Sequence, residues 1–165
     1  MTSLRPRSRR LLLAASLCVA GVALAGCSAT NPMTTENEYS AADGTRATLG
    51  DVRASNLVVV SSAKGAPGLV TGALTNDGDD KRTVTLTFGE DTSTVNVEPK
   101  QTVLLDGTTG TGHANIVLTA VAVAPGGVAP ATIATDAAGS QDISVPVLDG
   151  SQPEYASLVP TAPAS

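Results

Sequence analysis

Few side chains in this 165-residue chain are of the types that usually do catalysis. His113 is the only histidine, and it follows Thr111 and Gly112 in a predicted loop. A Ser-His-Asp triad would also need a serine on a sharp, strained turn, yet no Gly-x-Ser-x-Gly sequence occurs. We therefore interpret His113 as a solvent-exposed loop residue, assign no catalytic residue and predict that the protein is not an enzyme.

Metal ligands are equally scarce. A blue-copper centre needs two histidines and a cysteine, and a zinc site needs several such ligands. The acidic turn at 77–80, Asp-Gly-Asp-Asp, offers oxygens for weak calcium binding but lacks the EF-hand spacing and its distal glutamate. We predict no metal site and no cofactor, and we interpret the acidic turn as a solvated hairpin turn.

Two other chemistries are disfavoured by residue type. Acidic residues are scattered through the predicted loops, so spacing alone leaves paired carboxylates for glycoside hydrolysis open. Sugar sites generally use aromatic platforms as well, and this chain has one Phe, two Tyr and no Trp. The Gly-x-Gly at 110–112 lacks the Gly-Lys-Ser/Thr ending of a phosphate-binding loop.

The most specific motif lies near the N-terminus. Arginines at 5, 7, 9 and 10 precede an uncharged run over 11–24, which is too short for a membrane-spanning helix but suits a secretory signal. The following Leu24-Ala25-Gly26-Cys27 resembles the lipobox of bacterial lipoproteins. That resemblance implies that a diacylglyceryl group, which carries fatty acids such as palmitate, is attached to the thiol and that cleavage leaves Cys27 as the first mature residue. A plain signal peptide and an uncleaved anchor are the alternatives, and the export route is general secretion or twin-arginine.

Cleavage would change the composition of the mature chain. Four of the ten basic residues and none of the fifteen acids precede Cys27, so six remain against fifteen and the formal net charge becomes −9. This charge argues against nucleic acid as a partner, because phosphate binding needs Lys/Arg clusters. Cys18 would be removed and Cys27 blocked, which leaves no thiol pair for a disulfide.

The remaining sequence predicts an all-β protein with one domain. We divide it into a signal peptide (1–26), a flexible tether (27–42), a β-sandwich (43–150) and a Pro-rich tail (151–165) whose Tyr155, Leu158 and Val159 can pack on the sandwich. Short Val/Thr/Leu/Ile segments between turn residues predict a single antiparallel immunoglobulin-like β-sandwich, with an open barrel as the alternative. The predicted strands cover 45–52, 56–61, 69–76, 82–88, 93–97, 102–105, 115–123, 128–135 and 143–148.

Contacts and core follow from the same pattern. Period-two alternation places Val84, Leu86 and Phe88 on one buried face. The Asp-Gly pair within 76–80 predicts a tight hairpin that pairs strand 69–76 with strand 82–88. Ala124 to Gly127 predicts a turn, and 107–112 a loop with little reason to be rigid. The predicted core is aliphatic, with Leu57, Val59, Leu74, Val84, Leu86, Val95, Leu104, Ile116, Leu118 and Val145.

The segments at 43–53, 71–76 and 145–150 resemble those of small actinobacterial lipoproteins. Some of those proteins are distantly similar to periplasmic copper chaperones, which share a β-sandwich and bind Cu(I) through Met and His. After cleavage this chain would keep only Met33, in the tether, and His113. The resemblance therefore implies a fold and a location, but it transfers no ligand residue because Cu(I) requires soft donors.

These observations predict a lipoprotein anchored through Cys27 on the extracytoplasmic face of the cell membrane. Its domain is expected to be a non-catalytic binding or envelope-organising module, with an envelope protein or polysaccharide as partner. The alternative is a copper-handling accessory protein related to the periplasmic chaperones.

Overall fold

The computed structural model of the protein describes residues 44–161. It confirms the all-β prediction, because nearly all of the regular structure is strand. The ten strands and one short helix are β1 (Thr45–Leu49), β2 (Val52–Ser61), β3 (Gly68–Asn76), β4 (Arg82–Phe88), β5 (Asp91–Val97), β6 (Thr102–Leu105), β7 (His113–Ala114), β8 (Ile116–Leu118), β9 (Val128–Thr135), β10 (Gly139–Leu148) and α1 (Pro153–Ala156).

The strands form the two layers of a β-sandwich. One layer contains β1, β2, β3, β6, β7 and β8, and the other has the order β5-β4-β9-β10. Strand β10 pairs antiparallel with β9 over eight residue pairs and then runs parallel to β2 at Val147 and Leu148. The two layers are thus joined by hydrogen bonds along one side, and the path of paired strands ends at β5 and at β7.

The core lies between the layers and is aliphatic. Val84, Leu86 and Phe88 are buried on one face of β4, as the alternating pattern predicts, while the intervening threonines are half-buried. Nine of the ten predicted core residues are buried. The prediction for Leu104 is wrong, because its side chain is 44% exposed and its neighbours Val103 and Leu105 point inward instead. A one-residue offset reverses the faces of a strand, and the sequence Val-Leu-Leu permits both offsets.

The predicted hairpin at 76–80 is wrong. Strand β3 pairs with β2, β6 and β8, whereas β4 pairs with β5 and β9 in the other layer. The loop at 77–81 therefore carries the chain from one layer to the other.

The buried side chain of Asn76 explains why this loop crosses over. Its Nδ2 group donates hydrogen bonds to the carbonyl oxygens of Asp80 (2.7 Å), Val97 (3.1 Å) and Glu98 (3.3 Å). Its Oδ1 atom accepts one from the backbone N–H of Gly78 (2.9 Å). The loop is thereby wrapped around a buried amide and fixed to the end of β5. We call Asn76, loop 77–81 and the charged side chains that contact this loop the Asn76 corner.

Other differences concern strand ends. The predicted strand 45–52 is two strands joined by the two-residue turn Gly50-Asp51, with Gly50 at φ +56°, a conformation suited to glycine. The predicted strand 115–123 is ordered as a strand only over Ile116–Leu118. The turn predicted at Ala124–Gly127 is confirmed.

Some predictions fall outside the described residues, namely the signal peptide, Cys27 and the tether. Within 44–161, no helix has the length and apolar character needed to cross a membrane. In the C-terminal tail, α1 is followed by the partly buried Leu158 and Val159.

Candidate functional site

A groove of about 610 Å³ lies at the open side of the sandwich. Strand β5 forms one wall, and β6 with the segment 110–114 forms the other. Most of its lining side chains are polar, including Thr94, Asn96, Thr102 and His113. We call this the β5 groove. It exists because β5 and β7 end the path of paired strands and have no strand between them.

Asp106 holds the imidazole of His113 at the mouth of this groove. The Nδ1 atom of His113 lies 2.7 Å from Oδ2 of Asp106, and the two side chains are 40% and 36% exposed. Strand β6 pairs in parallel with β7, which sets Leu104 opposite His113. This pairing brings Asp106 and His113 together although they are seven residues apart in the sequence. The prediction of an exposed histidine is confirmed, but His113 begins a strand and has a carboxylate partner.

Asp106 is itself fixed by Thr108. The hydroxyl and the backbone N–H of Thr108 both donate to Oδ1 of Asp106, at 2.7 Å and 3.0 Å. These two hydrogen bonds, with a smaller contribution from His113, lower the pKa of Asp106 below its ordinary value of 3.8. The start of the loop 107–112 is therefore fixed by Thr108, which the sequence did not lead us to expect.

This arrangement gives His113 a defined orientation. Because Nδ1 is engaged by a carboxylate, Nε2 is the ring nitrogen left for a ligand in the groove. Nucleophilic catalysis would need a further activated group, and the part of the chain at 44–161 contains no cysteine. Within that same part, no group of three or more His, Cys, Asp or Glu side chains is arranged to hold a metal ion.

The acidic turn does not offer a calcium site. Asp77 pairs with Arg53 (2.7 Å), and Asp79 pairs with Lys100 (3.0 Å). Asp80 lies 3.8 Å from Arg82. Each carboxylate of the turn thus faces a side-chain cation, which leaves no set of free oxygens for Ca²⁺.

The backbone edge of β5 is a further feature of the groove that sequence reasoning missed. All seven residues of β5 pair with β4 in regular register, from Asp91 opposite Phe88 to Val97 opposite Arg82. Among the described strands, none pairs with the other edge of β5. The strand contains no Lys, no Pro and no bulge, which are the usual devices that keep an edge from pairing.

No protein-family model matches the chain, and no curated protein sequence matches it. Several solved structures do. The apo PCuAC domain from PmoF1 has a TM-score of 0.50 and 17% sequence identity, covering 62% of this chain and 98% of that one. The copper-bound PCuAC domain from PmoF2 has a TM-score of 0.48 and 13% identity, covering 64% of this chain and 98% of that one. The apo PCuAC domain from PmoF2 has a TM-score of 0.48 and 12% sequence identity, covering 66% of this chain and 98% of that one.

The fold is therefore similar to that of PCuAC copper chaperone domains, as the sequence resemblance implied. At this level of identity the similarity concerns the fold alone. The donor atoms do not fit Cu(I): residues 44–161 contain no methionine or cysteine, and their only imidazole shares its Nδ1 with a carboxylate. We therefore assign no residue within 44–161 to copper.

Proposed function

We propose that this protein is a lipid-anchored extracytoplasmic binding module without catalytic activity. Its partner is an envelope protein that contributes an extended segment to the β5 groove. The observation that carries the proposal is the unpaired outer edge of β5, which borders an open groove at Thr94, Val95 and Asn96.

The β5 edge suits addition of a strand. An unpaired edge presents alternating N–H and C=O groups that an extended peptide can satisfy with main-chain hydrogen bonds. Seven residues in regular register give the strand a length of about 23 Å, at about 3.3 Å per residue. Thr94 and Asn96, which line the groove from this edge, are exposed, polar and uncharged.

The opposite wall supplies specificity. Thr102, Thr111 and His113 line it, and the imidazole is held by Asp106 in one orientation. An imidazole whose Nδ1 is bound to a carboxylate can accept a hydrogen bond at Nε2 when neutral and donate one when protonated. A polar side chain of the partner segment would meet this nitrogen while its backbone pairs with β5.

Anchoring through Cys27 places this domain at the membrane surface. Two or more acyl chains at about 0.8 kcal/mol per buried CH₂ give stable attachment, whereas one chain binds marginally. A flexible tether of about 15 residues has an r.m.s. span of about 20 Å, which keeps the domain close to other envelope proteins. Cys27→Ala should release the protein from the membrane or leave it unprocessed, and unchanged mass and fractionation would contradict lipidation.

Site-directed photo-crosslinking in intact cells tests the groove. A photoactivatable residue at Thr94 should capture a discrete protein, whereas the same residue at the exposed Thr48 of β1 should not. Asn96→Lys should abolish capture at 94 because a lysine on an edge opposes strand addition, and Thr48→Lys is the matched control. Equal capture at both positions, or capture that survives Asn96→Lys, would refute the proposal.

Copper handling is the second candidate, and the fold similarity to PCuAC domains favours it. Copper would then be cargo rather than a resident cofactor. Purified mature protein would have to bind copper near stoichiometrically and lose it on His113→Ala. Protein without measurable copper affinity would eliminate this candidate and leave the groove proposal intact.

A further inference from the structure

A second cavity, of about 440 Å³, lies where the β4–β5 turn meets the segments that follow β8 and begin β9. Its walls are mainly apolar and include the buried side chains of Phe88, Leu118, Val121 and Ala129. Its volume is within the 300–1,000 Å³ range typical of small-molecule sites. We call it the Phe88 cavity. It shares no lining residue with the β5 groove.

The wall formed by 119–122 is fixed in place although it is not a strand. The carboxylate of Asp91 accepts hydrogen bonds from the backbone N–H and the hydroxyl of Thr119, both at 2.9 Å. Val121 exchanges backbone hydrogen bonds with the β2–β3 loop, donating to Ala66 (2.9 Å) and accepting from Gly65 (2.8 Å). The cavity is thus preformed, which lowers the ordering cost of binding a ligand.

The charges around the cavity are of one sign. Glu90 and Asp91 are its only ionisable lining residues, and no Lys, Arg or His lines it. Glu90 forms no ion pair with any residue in 44–161, and Asp91 is held only by the uncharged Thr119. An anion entering the cavity would meet two carboxylates without a compensating cation.

We propose that the Phe88 cavity binds a small organic amine, with its hydrocarbon body against Phe88 and Leu118 and its ammonium group at Glu90 and Asp91. Burial of the hydrocarbon supplies most of the binding free energy, and the carboxylates select a cation over a neutral or anionic analogue. The ring of Phe88 adds a surface on which a cation or an alkyl chain can pack.

Titration of the purified mature protein with three probes of equal length tests this assignment. Hexylamine should bind saturably and shift the amide NMR signals of 88–91 and 118–122. Hexanol should bind several-fold more weakly, and hexanoate should not bind. High salt should reduce the preference for the amine over the alcohol.

Two kinds of variant separate the charge from the cavity. Glu90 lies on an exposed turn, so Glu90→Gln should not disturb the fold. The change should weaken hexylamine binding about threefold, as expected for loss of one partly exposed charge pair, and should leave hexanol binding unaffected. Glu154→Gln, an exposed residue outside the cavity, is the matched control. Ala129→Leu should fill the cavity and abolish binding of both probes. Equal affinity for amine and alcohol, or shifts that map elsewhere, would overturn the proposal.

Discussion

The Asn76 corner and the Phe88 cavity use acidic side chains in opposite ways. Of the six basic residues in 44–161, four form ion pairs at the Asn76 corner: Arg53, Lys81, Arg82 and Lys100. The cavity has two carboxylates and no cation. Because the chain is acidic and most of its cations lie at the Asn76 corner, the negative potential at the Phe88 cavity is not compensated. Charge thus supports the fold at the corner and remains available to a ligand at the cavity.

The sharpest test of the corner is Asn76→Ala. This change removes the donor for three carbonyl oxygens and the acceptor for the N–H of Gly78, all around a side chain that is 0% exposed. We expect the free energy of unfolding to fall by about 2–4 kcal/mol, since each buried group left unsatisfied costs about 1–3 kcal/mol. Urea denaturation measures it.

Asn96→Ala is the control, because Asn96 is an exposed asparagine and should change stability by at most about 0.5 kcal/mol. If Asn76→Ala lowered the free energy of unfolding by less than about 1 kcal/mol, water would be replacing the amide, and the Asn76 side chain would not be what holds the corner together.

Asn76 marks the limit of what could be predicted about the fold from the sequence. Short Val/Thr/Leu/Ile segments between turn residues predicted β4, β6 and β9 with the bounds observed. In β4 the alternation of apolar and Thr side chains also predicted the buried face, because burial of one face imposes a period of two. An Asp-Gly turn, however, fits a hairpin and a crossover equally well. The choice depends on Asn76 reaching the carbonyl oxygens of Asp80 and Val97, and residue 97 is distant in sequence.

The candidate sites were predictable to a smaller extent. His113 stood out because it is the only histidine, but its contact with Asp106 depends on a two-residue parallel pairing that has no sequence signal. The Phe88 cavity is lined from the β4–β5 turn, the segment after β8 and the start of β9. Apolar residues in those positions look like ordinary core in the sequence, and only the packing of the segments shows that a space remains.

A second test of the corner concerns Arg82. Its side chain is 18% exposed and its Nη2 atom lies 3.1 Å from Asp51 and 3.8 Å from Asp80. Arg82→Met keeps the aliphatic stem but leaves both carboxylates without this cation, so we expect a loss of about 1 kcal/mol at low salt. In concentrated salt the loss should shrink. Arg46→Met, at an exposed position of β1, is the control and should be neutral.

The exposed pair of Asp79 and Lys100 should contribute less. The two side chains are 92% and 61% exposed, so solvent screening and side-chain entropy offset most of their attraction. In a double-mutant cycle with Asp79→Asn and Lys100→Met, the coupling free energy should be indistinguishable from zero. A clear coupling would show that the corner acts as a cooperative ion network rather than as a shell around Asn76.

The smallest effect concerns Asp106, which lies outside both regions and accepts two hydrogen bonds from Thr108. Its pKa in the folded protein is lowered by Thr108, so the unfolded chain binds the proton more tightly. The stabilisation is therefore complete above the ordinary value of 3.8 and is lost as the pH falls through the folded pKa. Thr108→Val should raise the pKa of Asp106 toward its ordinary value in a carboxyl NMR titration, while the pKa of Asp149, which is lowered by Ser151, should stay where it is. If the pKa of Asp106 did not move, the backbone N–H of Thr108 and the His113 ring, rather than the Thr108 hydroxyl, would be what keeps this carboxylate charged.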